Sequence, residues 1–507
     1  MNVPRSELLS YLAAGEAAPQ LPWPRYRLSP EQWAALILHL TVADWSVLAL
    51  WGDVGTVHVA LYDPNAAAIA VASLACPDGH FPSLSGVRPG AIRLERAAQD
   101  LFGLTADGLV DGRPWLDHGQ WTQSQPLAPQ PGPAASRPAT QYAFLPVEGE
   151  GVHQIAVGPV HAGIIEPGAF RFHCNGEAVV RLEERLGYTH KGIEKLMAGK
   201  PPGAAARLAG RLSGDSTVAC SLAFAHAVEA AAGTEVPVRA VYLRALMAEL
   251  ERIANHFGDI GAICNDVSFA FMLAHFSVLR EDVLRAAEAC FGHRLMMDGV
   301  VPGGVAHDLD DAATALLGAL VHDLRPRLAK LLAIYDDKPS LLDRSVGTGV
   351  LSAALVRQFG AGGYVGRASG RDFDARRDPG YPPYADLTFA VPLLKDGDVH
   401  SRLLVRAREI EASLSLIEQM LDRLPSGNIS APVGSGAGEG IGFVEGFRGD
   451  YFAWVSLDRD GKIRRAHLRD PSWFQWPLLE ACVENNIVAD FPVCNKSFNC
   501  SYSGHDL

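Results

Sequence analysis

Cysteine is scarce in this chain: its 507 residues include eight cysteines, and no two of them are spaced as C-x-x-C. Zinc ribbons and ferredoxin-type clusters need such paired thiolates, so the spacing excludes both kinds of site. Eight cysteines are also too few to form a disulfide scaffold in a chain of this length.

Basic residues are in the minority, with 44 lysines and arginines against 57 aspartates and glutamates, a formal net charge of −13. Nucleic-acid binding needs a basic surface, so we expect no nucleic-acid partner. Hydrophobic residues make up 48% of the chain and charged residues 20%. That balance is typical of a folded protein and excludes a disordered one.

A long, uninterrupted apolar run is also missing. The most apolar window, residues 33–51, contains His39 and Asp44, and a charge at the centre of a bilayer costs about 2.5–3.5 kcal/mol. We interpret this window as a helix over 30–40 followed by a strand over 45–51. The first ten residues lack the apolar core of a signal peptide. We therefore expect a soluble or peripheral protein in the cytoplasm.

A proline-rich stretch divides the chain. Residues 123–140 contain five prolines, and proline at this density favours extended conformations that build no core. The stretch exceeds the usual loop length of about 12–15 residues. We predict a linker over 123–150 between an N-terminal domain, residues 1–122, and a large domain, residues 151–507. The alternative is a surface loop within one domain.

The hydrophobic pattern predicts an α+β fold: a small α+β N-terminal domain and a large, mainly helical domain with peripheral β-sheets. In the N-terminal domain we predict helices over 31–40 and 90–102 and strands over 45–51, 56–62 and 68–74. In the large domain we predict helices over 218–232, 239–260, 272–291, 309–335 and 399–424, and strands over 452–457 and 462–468. Residues 434–442 are rich in glycine, and we interpret residues 434–438, which carry two glycines of a dinucleotide-binding fingerprint, as a loop that links a hairpin.

Short catalytic motifs are absent: the sequence contains no P-loop, nucleophile elbow or H-E-x-x-H. His153, His161, His173 and His190 fall near Cys174, but none has a second ligand one helical turn away, so we interpret them as structural. We interpret Cys494 and Cys500 as a chance pair or a labile disulfide.

Several long segments resemble a known family. They are GPVH at 158–161, EPG at 166–168, GEAVVRLEERLGYTHKGIEKLM at 176–197, YLRALMAELERIANHFGDIGA at 242–262, GEGIGFVEGFRGD at 438–450 and DFPVCNKSFNCSYSGHDL at 490–507. They resemble the large subunit of nickel–iron hydrogenases of the formate-hydrogenlyase type and the D subunit of respiratory complex I. FPSLSGVRPGA at 81–91 and RPWLDHGQW at 113–121 resemble the C subunit of complex I.

The resemblance implies a nickel–iron centre held by two C-x-x-C pairs, and here the sequence departs from the family. The first pair falls on Ser213 and Ser216. The second motif reads SFNCSYSG at 497–504, where Cys500 stands one place early. A serine hydroxyl does not replace a thiolate as a nickel ligand. We predict that the nickel–iron centre is absent and that this chain binds no metal.

The quinone pattern of the D subunit is also incomplete. The family loop resembles G-P-x-H-P-S-T-H-G, whose second histidine contacts the quinone headgroup. Ile165 holds that position here, while His161 matches the first histidine. The tyrosine that should partner this histidine would fall near Gly214 and is missing.

The resemblance still implies a cavity between the loop 158–168, the segment 211–216 and the C-terminal tail. We predict His161, Glu166 and Asp215 as its catalytic residues, with His161 and Glu166 as a proton relay or as partners of a quinone carbonyl. The alternative is that His161 satisfies a backbone carbonyl and Glu166 caps the turn at Pro167 and Gly168.

The resemblance implies a fused C- and D-type subunit of a complex-I-like, membrane-associated oxidoreductase related to NADH:quinone oxidoreductase. The implied partners are an iron–sulfur small subunit with a 4Fe-4S cluster, a ferredoxin-like subunit and antiporter-like membrane subunits. The implied role is electron transfer, with quinone as a candidate acceptor, coupled to proton or ion movement on the cytoplasmic side of the inner membrane. The alternatives are a genuine hydrogenase large subunit and a non-catalytic assembly scaffold.

Overall fold

The computed structural model describes residues 6–134, 142–162 and 165–507. In residues 6–134 the elements are α1 (Glu7–Leu12), β1 (Glu16–Ala18), β2 (Arg25–Leu28), α2 (Pro30–His39), β3 (Ser46–Asp53), β4 (Thr56–Asp63), β5 (Ala68–Ala75), β6 (His80–Pro82), α3 (Ile92–Phe102), β7 (Thr105–Asp107), β8 (Gln123–Ser124) and β9 (Gly132–Pro133). Strands β1 to β5 form one sheet in the order β1-β2-β5-β4-β3. Its neighbouring strands are antiparallel except for the parallel pair β2 and β5.

The strands and helices predicted for the N-terminal domain are confirmed. Helix α2 begins where the sequence signals it, because Ser29 and Gln32 form a reciprocal capping box and Pro30 is the first helical residue. Strands β3, β4 and β5 are almost wholly buried, since both faces of the sheet are covered.

The first part of the predicted linker contacts the N-terminal domain. The backbone N–H of Leu127 donates to the carbonyl of Leu101 at 2.9 Å, and the short strands β8 and β9 pair with each other. Residues 135–141 of the stretch lie outside the described residues. The division into domains 1–122 and 151–507 stays a prediction.

The rest of the chain is mainly helical. Its elements are β10 (Val152–Val157), β11 (Ala169–Asn175), β12 (Ala178–Arg185), α4 (Ile193–Met197), α5 (Pro202–Ala209), α6 (Thr217–Ala232), α7 (Val238–Asp266), α8 (Ala270–Phe291), β13 (Val300–Val301), β14 (Gly304–Val305), α9 (Asp311–Asp336), α10 (Pro339–Ser345), α11 (Ala353–Phe359), α12 (Gly363–Ala368), α13 (Val399–Asp422), β15 (Gly438–Glu445), β16 (Asp450–Leu457), β17 (Ile463–Arg469), α14 (Ser472–Val483), α15 (Phe491–Phe498) and α16 (Tyr502–Asp506). The five predicted long helices are confirmed as α6, α7, α8, α9 and α13. Within the described residues, small sheets β10-β11-β12 and β15-β16-β17 lie beside these helices, so the α+β prediction is confirmed.

The glycine-rich segment leads into a strand. Residues 434–437 precede β15, whereas Gly438, which we interpreted as part of the loop, is the first residue of β15. No strand was predicted over 438–445. Gly438, Gly440 and Gly442 alternate along β15 and therefore share one face. A Cβ atom at these positions would lie 2.0, 2.1 and 1.9 Å from backbone oxygens of α6. Glycine is needed here because the strand backbone contacts the alanine-rich helix directly.

The N-terminal sheet packs against the C-terminal strands. The ring of Trp51 on β3 lies 5.6 Å from the ring of Trp454 on β16. Arg93 on α3 forms a buried ion pair with Glu184 on β12 at 2.6 Å. These contacts hold the N-terminal part against the segments that form the site. In the described part of the chain, no helix is both long and apolar enough to cross a membrane.

Candidate functional site

A cavity of about 240 Å³ lies where three distant segments meet. Its walls come from residues 165–166, residues 213–215 and the C-terminal residues 499–503, together with Arg448 from the turn between β15 and β16. These are the segments that the family resemblance brings together. Glu166 and Asp215 line the cavity, whereas among the described residues His161 contacts its wall without lining it.

Asp215 is held by an arginine. The Arg448 guanidinium is nearly fully buried and donates to the Asp215 carboxylate at 2.8 Å and to Ser216 Oγ at 2.8 Å. Ser213 Oγ also donates to Asp215, at 2.8 Å. Burial raises the pKa of Asp215, but Arg448 and the two serine hydroxyls outweigh that effect and lower this pKa to about 2. Asp215 is therefore ionised at neutral pH and fixes the position of Arg448.

The four positions that carry thiolates in hydrogenases do converge in space. Ser213 Oγ lies 2.8 Å from Ser501 Oγ, and the backbone N–H of Gly504 donates to Ser501 Oγ at 2.8 Å. Ser216 Oγ accepts a hydrogen bond from the Arg448 guanidinium. The donors at these positions are neutral hydroxyls beside a guanidinium, and Gly504 has no side chain. This set does not fit a nickel–iron centre, which needs thiolate ligands.

No other cluster of metal ligands takes its place in the described ranges, where no three His, Cys, Asp or Glu side chains are grouped as ligands. Cys494 and Cys500 are both buried free thiols, so the labile-disulfide alternative is not what the structure contains. His173 contacts the Gln154 amide at 3.0 Å, and His190 contacts the carbonyl of Asp506 at 2.7 Å.

His161 has a tyrosine partner that the sequence did not reveal. Its Nε2 lies 3.3 Å from the hydroxyl of Tyr502, and its ring stacks on Phe170 at 5.4 Å. Burial lowers the pKa of His161, so the ring is neutral at neutral pH. Burial also raises the pKa of the Tyr502 phenol, which stays protonated. We expected the tyrosine near Gly214. Tyr502 comes instead from the C-terminal motif, whose similarity to the family was the one available signal.

Glu166 is exposed and binds the same tail. Its carboxylate accepts the backbone N–H of Ser503 at 2.8 Å. Lys191 donates to the carbonyl of Leu212 at 3.2 Å and to the hydroxyl of Ser503. His161 and Glu166 therefore contact adjacent residues of the tail. Among the described residues, His161 contacts no backbone carbonyl and Glu166 does not cap the turn at Pro167 and Gly168, the contacts that we named as the alternative.

The tail itself is anchored at its end. The Asp506 carboxylate accepts the N–H groups of Gly187 at 2.8 Å and Thr189 at 2.9 Å. The indole N–H of Trp115 donates to His505 Nε2 at 3.2 Å. Because Trp115 belongs to the N-terminal part, that part fixes the tail and with it Tyr502 and Ser501. Sequence reasoning missed this anchor.

Glu251 on α7 lies beneath the cavity. Its carboxyl accepts the N–H groups of Val218 at 2.7 Å and Ala219 at 3.0 Å, at the start of α6. Burial raises the pKa of Glu251 to about 8. The side chain of Asn255, one turn further along α7, donates to the carbonyl of Asp215 at 2.8 Å. Helix α7 thus supports both the first turn of α6 and the Asp215 backbone.

Comparison with known proteins agrees with this architecture. The model of the 49 kDa subunit of respiratory-chain NADH dehydrogenase matches residues 266–435, and the model of the 30 kDa subunit matches residues 29–130. Formate hydrogenlyase subunit 5 of Escherichia coli is 30% identical over 443 residues, which cover 84% of this chain and 77% of that protein. The D subunit of NADH-quinone oxidoreductase from Dehalococcoides mccartyi is 31% identical over 339 residues, covering 66% of this chain and 92% of that protein.

A chain in the solved structure of the membrane-bound sulfane sulfur reductase, an archaeal respiratory membrane complex, is similar with a TM-score of 0.67 and 27% identity. The match covers 72% of this chain and all of that chain. A 30 kDa-like part in front of a 49 kDa-like part defines a fused subunit of the complex I type. The chain belongs to the family that contains formate hydrogenlyase subunit 5 and the D subunit of NADH-quinone oxidoreductase. The resemblance read from the sequence motifs is confirmed.

Proposed function

We propose that this chain is the fused C- and D-type subunit of a complex-I-like oxidoreductase that associates peripherally with the cytoplasmic side of the inner membrane. It frames the cavity beside an iron–sulfur subunit and takes part in electron transfer from that partner's 4Fe-4S cluster to an acceptor in the cavity. Ferredoxin-like and antiporter-like subunits complete the complex and couple electron transfer to proton or ion movement.

One observation carries the proposal: the cavity keeps an organised, charged lining although it has lost the thiolates of the family. Arg448 and Asp215 form an ion pair whose guanidinium is only 3% exposed. Taking such charges out of water costs free energy that their attraction offsets only in good geometry. A subunit that served assembly alone would not need this pair at the wall of a cavity.

Quinone is the candidate acceptor that the lining supports. Tyr502 lines the cavity, and its hydroxyl can donate to a carbonyl oxygen there. His161 Nε2 lies within reach of the same hydroxyl. When the acceptor oxygen gains charge, Tyr502 gives it a proton and takes one from His161 Nε2, while His161 Nδ1 takes up a proton from solvent so that the ring stays neutral. Arg448 stabilises negative charge that develops on an acceptor in the cavity.

The loop at the cavity offers an apolar contact for the iron–sulfur partner. Val160 is 77% exposed and Ile165 is 37% exposed. Exposed apolar side chains beside a functional cavity are typical of a protein interface. Two such residues support a partner at this edge, where its cluster would lie close to the acceptor.

The test is electron transfer through the purified complex, reduced chemically and supplied with a soluble quinone. We expect Tyr502→Phe and His161→Ala to lower turnover at least tenfold and to change its pH profile. Glu166→Gln should lower turnover in the same way only if Glu166 belongs to the relay. Tyr26→Phe, on the distant strand β2, is the matched control. If Tyr502→Phe and His161→Ala assemble and turn over at the parental rate from about pH 5.5 to 8.5, the chain is a scaffold and the proposal is wrong.

A further inference from the structure

Asp470 carries a buried carboxyl that the proposed function does not use. It lies between β17 and α14, and its side chain is fully buried. Its Oδ1 accepts the N–H of Ser472 at 2.8 Å, whereas its Oδ2 has no hydrogen-bond partner among the described residues. Buried polar atoms in native proteins are nearly always paired, so an unpaired carboxylate oxygen needs an explanation.

The unpaired oxygen lies directly behind the cavity wall. A Cβ atom at Gly504 would be 2.5 Å from Asp470 Oδ2 and 3.0 Å from Ser501 Oγ, so both oxygens approach the same point. Ser501 lines the cavity and is bonded to Ser213. Because residue 504 is glycine, the carboxyl has room at this point. A water bound between the two oxygens would join Asp470 to Ser501.

The charged and titratable groups around Asp470 act on its pKa in opposite directions. They come from each surrounding segment: Cys220 on α6, Tyr451 on β16, Arg448 in the turn before β16, Asp215 at the cavity wall and Lys191 in the loop before α4. Burial raises the pKa of Asp470, Arg448 lowers it, and the charge of Asp215 raises it further. Since Arg448 is already paired with Asp215, the net effect is a raised pKa.

Tyr451 adds a second unpaired group to the same enclosed region. Its hydroxyl is buried and has no hydrogen-bond partner among the described residues. Two unpaired buried oxygens, one from Asp470 and one from Tyr451, are the kind of partners that an internal water would bind. The region behind Ser501 is therefore suited to hold a mobile proton.

We propose that Asp470 stores the proton that the cavity consumes and delivers it through the Ser501 hydroxyl. The O–H bond at Asp470 Oδ2 breaks, Ser501 Oγ gains that proton through a bridging water, and Ser501 releases its own proton into the cavity. Asp470 is left as a carboxylate, and a proton from solvent restores the acid. The inference rests on the proposed function, because the reduced acceptor is what takes up the proton.

The first test is an infrared pH titration of the full-length chain. We expect the parent to keep a carboxylic-acid band to a higher pH than an exposed aspartate would, and Asp470→Asn to lose that component. Asp460→Asn, in an exposed turn, is the control and should keep every component. Burial also raises the pKa of Glu251 to about 8, so Glu251→Gln should remove a different component. An unchanged band in Asp470→Asn overturns the proposal.

The second test is the pH dependence of stability. A carboxyl with a raised pKa in the folded state stabilises the fold fully below its unfolded pKa of about 3.9, and this contribution falls as pH rises. Asparagine cannot ionise, so the urea midpoint of Asp470→Asn should rise relative to that of the parent as the pH is raised above about 4. If the variant loses the same stability at every pH, Asp470 serves only to cap α14 and the proposal is wrong.

Neither measurement depends on electron transfer, so failure here is distinct from failure of the proposed function. In the assembled complex, we expect Asp470→Asn to slow turnover at high pH more than at low pH, because the stored proton is lost. If the infrared component disappears while turnover keeps the parental pH profile, Asp470 binds a proton that it does not deliver, and the delivery step is refuted.

Discussion

The ion pair between Asp215 and Arg448 gives the sharpest stability prediction. Asp215→Asn removes the negative charge and keeps the shape of the side chain. The Arg448 guanidinium, 3% exposed, is then left without its carboxylate. We expect the variant to be less stable than the parent at pH 7, since a buried cation without a counter-ion is costly.

The magnitude follows from the exposure of each partner. Removing one member of a fully buried pair costs about 3–5 kcal/mol, whereas an exposed pair contributes about 0–1 kcal/mol. The Asp215 side chain is 35% exposed, and Arg448 keeps its bond to Ser216. We therefore place the loss between these limits, at about 1–3 kcal/mol in the free energy of unfolding.

The assay is urea unfolding of parent and variant at several pH values. The pKa of Asp215 is lowered to about 2 in the folded chain, below the unfolded value of about 3.9. The carboxylate therefore stabilises the fold above about pH 4, and this contribution is lost as pH falls toward 2. The difference between the proteins should be largest at neutral pH and shrink below pH 4.

Asp298→Asn is the matched control, because Asp298 pairs with Arg211 on the surface, where both side chains are more than a third exposed. We expect it to cost less than about 1 kcal/mol. Equal losses in the two variants, or a difference between Asp215→Asn and the parent that does not change with pH, would refute the reasoning.

Three further predictions follow from the fold and the site. Gly440→Ala places a Cβ 2.1 Å from the carbonyl oxygen of Ala227 on α6. In thermal unfolding, this variant should be less stable by more than about 3 kcal/mol, or it should fail to fold. Gly318→Ala, where the Cβ would meet open space on α9, should instead raise the free energy of unfolding by about 0.5–1 kcal/mol. Elemental analysis of the purified complex should show no stoichiometric nickel; nickel near one equivalent, or hydrogen uptake lost in Asp215→Ala, would contradict the assignment. Limited proteolysis should cut first between Gln123 and Thr140, and a first cut elsewhere with that stretch protected would show that it is docked.

The sequence predicted elements whose signal is local. Helix α6 was predicted from its alanine-rich, nearly uncharged composition, and α2 from the helical spacing of its apolar residues. The glycines of β15 were misread because their role depends on α6, some 200 positions earlier in the chain, whose backbone contacts them. A local pattern of glycines does not indicate that a distant helix packs against it, so the pattern predicts a loop.

The residues of the candidate site were likewise predicted only where their signal is local. Asp215 and Glu166 were found because they lie in motifs that match the family. Tyr502 was missed as the partner of His161 because the two residues are 341 positions apart, and only the fold brings the tail to the loop. Asp470 was missed for the same reason, because its carboxyl approaches Ser501 only where Gly504 leaves space for it.

The central claim is that this chain works inside a complex with an iron–sulfur partner. The most direct measurement is purification of the tagged, full-length chain from its native membranes in mild detergent, followed by mass spectrometry of the copurifying chains and electron paramagnetic resonance of the reduced sample. We predict a stoichiometric iron–sulfur subunit with a reducible 4Fe-4S signal, together with membrane subunits. A monodisperse, stable monomer with neither iron–sulfur signal nor partner would contradict the account.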